Sequence, residues 1–207
     1  SSSASARVTV DFDPAARFAR PPIVLAIARG QNFSDTFALS TRRVSNTSAE
    51  FNVLRVDTLN AHATDGWAQE LEIEFVALAP HLRWPRRDDA RQPRAPDGVL
   101  HQGRAVVGNH SGSLPATTFS VRWSDGRAAW ASALAEECDA GGVDCAKLRV
   151  FAAARNARGT DYDDVFSVVV CAVDRDGFGV RITRLDAQTG WDQQLELDYI
   201  VARPVAR

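Results

Sequence analysis

The sequence predicts an all-β chain built as two tandem antiparallel six-stranded β-sandwiches. Three observations carry this expectation. Short runs alternate apolar with polar residues, the period of a half-buried strand, and they recur at roughly 8–15-residue intervals between clusters of Gly, Asn, Ser and Pro. No segment holds a 3.6-residue period over about twelve residues, as a core helix requires. The chain also contains itself twice. Phe51–Asp57, a polar loop and Gly66-Trp67-Ala-Gln69-Glu-Leu71-Glu-Ile73-Glu-Phe75-Val-Ala77 match Phe178–Arg184, a loop and Gly190-Trp191-Asp-Gln193-Gln-Leu195-Glu-Leu197-Asp-Tyr199-Ile-Val201. Upstream, Phe12–Phe18 matches Trp123–Trp130, and Ile23–Arg29 matches Leu148–Arg155. This is a tandem repeat of one all-β module.

Repeat one occupies residues 1–80, with strands expected near Arg7–Phe12, Ile23–Arg29, Thr36–Val44, Glu50–Thr58 and Ala68–Ala77. Pro21-Pro22 imposes an extended backbone ahead of the second strand, because proline disfavours the α region in the residue before it. Gln31–Asp35 and Ser45–Ser48 read as turns from their Asn, Ser and Thr content. Residues 81–98 hold three prolines and five arginines without apolar period and read as a linker or surface strap. Repeat two occupies 99–207. It opens on a segment of turns around short strands, continues with strands at Thr117–Trp123, Leu148–Arg155, Val165–Val173, Phe178–Thr183 and Gln193–Val201, and carries an insertion at 131–147.

Composition excludes several function classes. A net charge of −2, with acids and bases dispersed, gives no patch for a nucleic acid. No apolar run approaches the roughly 18 residues of a membrane-spanning helix, and no signal-like apolar core is present. The chain has no Met, which suits a mature or excised form. Cys138 and Cys145 bracket a turn-rich loop short enough to be closed by a disulfide, and Asn32, Asn46 and Asn109 begin Asn-x-Ser sequons in expected loops. Together they favour a secreted or cell-surface protein. Cys171, inside a strand, reads as a small buried hydrophobe. The four histidines, His62, His81, His101 and His110, lie in irregular segments without metal-ligand spacing, and no nucleophile elbow, phosphate loop or metalloprotease helix occurs. The expectation is a non-enzyme with no metal and no cofactor.

Phe18-Ala-Arg-Pro-Pro-Ile-Val-Leu-Ala-Ile, followed in order by Val44-Ser45, Phe51 and the ending Ile73-Glu-Phe75-Val-Ala77, resembles the H-type lectin module of snail agglutinins and the discoidin C-terminal domain. Repeat one spans that module nearly whole. Repeat two resembles it from about Thr117 to Pro204, most clearly at Gly177-Phe178 and Leu197-Asp-Tyr199-Ile-Val-Ala202. The resemblance implies a six-stranded sandwich, assembly into trimers or a multiple of three, and metal-free binding of galactose or N-acetylgalactosamine-type glycans by loops at one end. The family's sugar-contacting arginine falls on Thr36 and Val165, and its Trp-His pair on Thr58-Leu59 and Leu185-Asp186. The scaffold pattern is kept while those side chains are not.

The candidate carbohydrate-binding residues are therefore those in the loops ending at the two Gly-Trp pairs: Asp57, Trp67 and Gln69 in repeat one, Arg184, Asp186, Trp191 and Gln193 in repeat two, with Asp161 and Asp164 nearby. Sugars are held by an aromatic face beside acceptors for vicinal hydroxyls, and each loop carries those parts. Trp67 and Trp191 admit two readings, a stacking platform or an anchor packed across the sandwich end. Arg184 and Asp186 read as a ligand clamp or as a solvated ion pair. The Asp161, Asp163, Asp164 turn reads as hydroxyl acceptors, a calcium loop or an exposed acidic turn. Glu70, Glu72, Glu74, Glu196 and Asp198 alternate with core residues and suggest either the wet face of a sheet or an intersubunit contact with Arg42, Arg43 or Arg149. The functional expectation is a multivalent lectin binding glycans or glycoproteins. The alternative is an oligomerisation module without a sugar site.

Overall fold

In a computed structural model of the chain, the residues described are 5–15, 18–30, 36–56, 69–79, 99–123, 148–157 and 162–202. Of these, 71% lie in strands and none in a helix, as the alternating pattern predicts. The strands in chain order are β1 (Ser5–Asp11), β2 (Ile23–Gly30), β3 (Phe37–Val44), β4 (Ser48–Arg55), β5 (Leu71–Leu78), β6 (Val99–His110), β7 (Ala116–Arg122), β8 (Arg149–Asn156), β9 (Phe166–Val173), β10 (Gly177–Arg184) and β11 (Trp191–Ala202). Expected and observed strand ends agree within three residues. The segment expected to hold several short strands differs: Val99–His110 is one twelve-residue strand. Bulges let it follow β11, and Gly108, at φ 72°, takes the left-handed conformation at one of them.

Three sheets result, ordered β1-β4-β3-β8-β11-β6, β7-β10-β9 and β2-β5. Phe12, Val24, Val44, Ala49 and Phe51 fill the space between β1-β4-β3 and β2-β5. A larger core, with Trp123, Phe166, Phe178, Val180, Ile182, Trp191, Leu195, Leu197 and Tyr199, lies between β7-β10-β9 and β8-β11-β6. All neighbours are antiparallel except β3 and β8, which meet in parallel at Thr41 and Arg155 and join the halves into one sheet.

The ladders reveal the duplication more sharply than the sequence does. In the first half Asp11 pairs with Ser48, Phe37 with Arg55, and Gly30 with Leu71. In the second half Arg122 pairs with Gly177, Phe166 with Arg184, and Asn156 with Leu195. Even the bulge recurs, at Arg42 in β3 and at Cys171 in β9. Sequence matching sets Phe51 against Phe178, but the ladders set Phe51 against Val180 and Arg55 against Arg184. A two-residue slip keeps every side chain on its face, so apolar alternation alone does not detect it. Phe12 and Trp123 do correspond, each a buried aromatic just beyond the first strand of its half.

β6 has no counterpart in the first half among the described residues. It extends β8-β11 and buries His101 against Tyr199, with Nε2 3.2 Å from the phenolic oxygen. Gly103 lies against the Tyr199 ring, where a β-carbon would collide with it.

Candidate functional site

Two polar constructions stand out, one at an end of the second half and one where the halves join. At the end, the start of β9, the end of β10 and the start of β11 converge. Leu185 donates its N–H to the Val165 carbonyl at 2.8 Å, and Val165 donates to Asp186 Oδ1 at 2.8 Å, so the β9–β10 pairing continues past the strands into the loop. Arg184 then reaches across that loop. Its Nε and Nη2 donate to Asp186 Oδ2 at 3.1 and 2.9 Å, Nη2 also to Asp164 Oδ1 at 2.8 Å, and Nη1 to the Gly190 carbonyl at 2.8 Å. Gln193 Nε2 donates to Asp164 Oδ2. The guanidinium fork thus fixes two carboxylates side by side, a geometry that lysine's single ammonium could not impose.

The electrostatics follow from partial burial. Desolvation raises the Asp164 carboxyl above its ordinary range, and the Gln193 hydrogen bond and the Arg184 charge oppose that rise. The Arg184 guanidinium is itself disfavoured by burial, but its hydrogen bond and attraction to Asp186 outweigh this and raise its pKa. The Arg184–Asp186 pair is therefore not the freely solvated pair that one reading expects. It is a partly buried clamp in which Nε and Nη2 converge on one Asp186 oxygen.

Trp191 is corrected to the anchoring role. It is 1% exposed, packed by Phe166, Phe119 and His110, and its Nε1 donates to the Gly108 carbonyl at 3.3 Å. No face of the indole is open for stacking on a sugar. Gln193 is buried beside it, and Gln69 is half-buried. Val165, at the family's arginine position, is core, and Thr36 is exposed. Asp57, Trp67, Asp161, Cys138, Cys145 and Asn32 lie outside the described residues. Asn46 is exposed in the turn before β4, whereas Asn109 lies in strand β6 rather than a loop, exposed there. Cys171, expected to be buried, is exposed at the β9 bulge. Val168 and Val170 take the core side of β9, so the alternation itself sets Cys171 outward with Val169.

At the join, sequence reasoning named the acids and missed their partners. Glu196 and Asp198 do not face water. Arg104 Nε and Nη2 donate to Asp198 at 2.5 and 3.1 Å, Arg155 Nε lies 3.3 Å from Glu196, and Val24 donates its N–H to Asp198 Oδ2 at 3.4 Å. Burial lowers the Arg155 pKa; at Arg104 burial is outweighed by the hydrogen bond to Asp198, and the pKa is raised. Ile23, Leu78 and Leu25 pack on Ile200 beside this cluster.

Asp163, between the two constructions, pairs with Arg7 and Arg42 of the first half, and Arg42 also pairs with Glu50. Asn52 and Asn156, one from each half, both donate to the Tyr162 carbonyl, at 3.3 and 2.7 Å. The 162–164 segment therefore ties the candidate site to the first half.

Among the described residues, no group of three or more His, Cys, Asp or Glu is placed to hold a metal ion, and no helix is long and apolar enough to cross a membrane. No family model, no curated protein and no solved structure matches the chain.

Proposed function

We propose that the chain is a multivalent carbohydrate-binding protein, made of two H-type-lectin-like sandwiches over 1–80 and 99–207, that takes galactose, N-acetylgalactosamine or related glycans at the Asp164–Arg184–Asp186–Gln193 cluster. One observation carries the reading. Four residues separated along the chain, each expected in a sugar site, meet in one cluster with its charges already oriented. Each carboxylate oxygen there accepts one or two bonds from the protein and still has acceptor capacity, since an ionised carboxylate offers about four lone-pair positions. Vicinal hydroxyls of a sugar donate to the two carboxylates, and the preset geometry spares the ligand the cost of ordering them. With Trp191 sealed in the core, the polar cluster rather than that ring carries recognition. Secretion and glycan or glycoprotein partners belong to the same reading, and several weak sites per assembly raise avidity.

A glycan array with the purified chain tests it. Saturable binding of the wild type, lost in Asp164→Asn and Arg184→Gln variants that keep the wild-type unfolding midpoint, supports the site. Binding that survives both substitutions moves the site elsewhere. A blank array from the folded wild type favours the assembly-module alternative.

Affinity should weaken on acidification before ordinary carboxylates protonate. Asp164, with its raised pKa, loses its charge and its acceptors first. Titration calorimetry of the wild type across pH checks this, and an affinity that holds until ordinary carboxylates protonate would remove Asp164 from the account.

A further inference from the structure

The clamp at the end of the second half comes from three short pieces of sequence: Asp164-Val-Phe166, Arg184-Leu-Asp186 and Gly190-Trp191-Asp-Gln193. The first half contains Asp35-Thr-Phe37, Arg55-Val-Asp57 and Gly66-Trp67-Ala-Gln69, in the same order. The polar residues that build the clamp are identical in the two sets, while the residues between them are not. Val165 answers to Thr36, Leu185 to Val56 and Asp192 to Ala68. The ladders put the pieces in register. Phe37 pairs with Arg55 as Phe166 pairs with Arg184. Just beyond the strands, Val56 donates its N–H to the Thr36 carbonyl at 2.8 Å, and Leu185 makes the same bond to Val165 at 2.8 Å. Gly30 pairs with Leu71 as Asn156 pairs with Leu195, so Gln69 and Gln193 each stand two residues before equivalent positions.

The shared fold does not by itself demand this identity. Strand alternation asks only that a residue suit its face, and elsewhere equivalent polar positions have changed. Ser40 and Arg42 in β3 stand where β9 has Val169 and Cys171. A fork that orients carboxylates, by contrast, needs an arginine and those acids. We propose that Arg55 and Gln69 belong to a second glycan site, in the first half, that takes the same galactose-type sugars as the Arg184 cluster. Arg55 fills the part of Arg184, a guanidinium that orients acceptors for vicinal hydroxyls. In the sequence Asp57 follows it by two residues and Asp35 directly precedes Thr36; both acids lie outside the described residues. This second site rests on the sugar reading of the Arg184 cluster, and it makes a single chain bivalent without any oligomer. Its described part is the more open of the two. Thr36 is exposed where Val165 is core, and Gln69 is half-buried where Gln193 is buried.

Equilibrium dialysis of the purified chain against N-acetylgalactosamine counts the sites. The wild type should bind two sugars per chain at saturation. Arg55→Gln and Arg184→Gln should each lose one of the two, and the double variant both. The sugar that each single variant retains reports that it is folded. Arg55→Lys, which keeps the charge but not the fork, should also lose one. A wild type with one site per chain, abolished by Arg184→Gln, overturns the second site and leaves the Arg184 reading standing. So does a count that stays at two in both Arg55 variants. A wild type that takes no N-acetylgalactosamine overturns the second site together with the N-acetylgalactosamine reading of the Arg184 cluster.

Discussion

Arg29, Glu72 and Glu74 in the first half occupy the same ladder positions as Arg155, Glu196 and Asp198 in the second. The surroundings differ completely. The Arg29–Glu74 pair is open to solvent, with side chains 68% and 45% exposed. Asp198 is 1% exposed and Arg155 6%. One sequence pattern thus serves as a wet sheet face in one place and as a buried ionic joint in the other. The lesson is that strand alternation specifies which residues point away from a sandwich's own core, while a neighbouring element decides whether that outward face is surface or interface.

The largest test of that comparison removes one acid from each setting. Asp198→Ala should lower unfolding stability by about 3–5 kcal/mol, because it leaves Glu196 alone to balance the Arg104 and Arg155 guanidinium groups. Glu74→Ala, its counterpart, should cost less than about 1 kcal/mol, as exposed pairs do. Urea titrations of the two variants measure both, and equal losses would break the comparison.

The next effect is pH-dependent and belongs to β6, which has no first-half counterpart among the described residues. Burial holds the His101 imidazole neutral, with its pKa lowered to about 4 from an ordinary 6.5. The unfolded chain therefore binds a proton below pH 6.5 that the folded chain refuses until about pH 4. Stability from this group is fully present above pH 6.5 and is lost as pH falls through that window, by roughly 3 kcal/mol at most. Unfolding midpoints from pH 7 to 4 should fall less steeply in His101→Phe than in the wild type. A parallel slope in the two proteins would remove His101 from the account.

A smaller effect tests the close approach of β6 to β11. Gly103→Ala places a methyl against the Tyr199 ring and should cost about 1–3 kcal/mol by overpacking. Thermal unfolding of this variant beside Gly179→Ala provides the contrast. Added methyl volume at Gly179 meets only the Ala172 backbone and methyl at van der Waals distance, so the change there should be slight.

Much of this architecture was legible in the sequence. The Leu195, Leu197, Tyr199, Val201 alternation identifies β11 and its buried face, and the Gly-Trp repeat reveals the duplication. Within the candidate site, Arg184, Asp186 and Gln193 were recognisable from the loop around the second Gly-Trp pair, and Asp164 from the separate acidic turn before β9. The role of Trp191 was not recognisable. A tryptophan at a strand start is the same letter whether it stacks on a ligand or plugs a sandwich, and only Phe166, Phe119 and His110 closing over it decide between them.

By itself, then, the sequence determined the class of the fold, the strands and the face each residue takes, because those depend on a two-residue period and on local turn chemistry. The tertiary structure decided the true register of the repeat and the partners of Glu196 and Asp198. It also decided the gathering of the Arg184 clamp. These depend on contacts between residues far apart in the chain, and a two-residue slip or a change of neighbour leaves the local pattern unaltered.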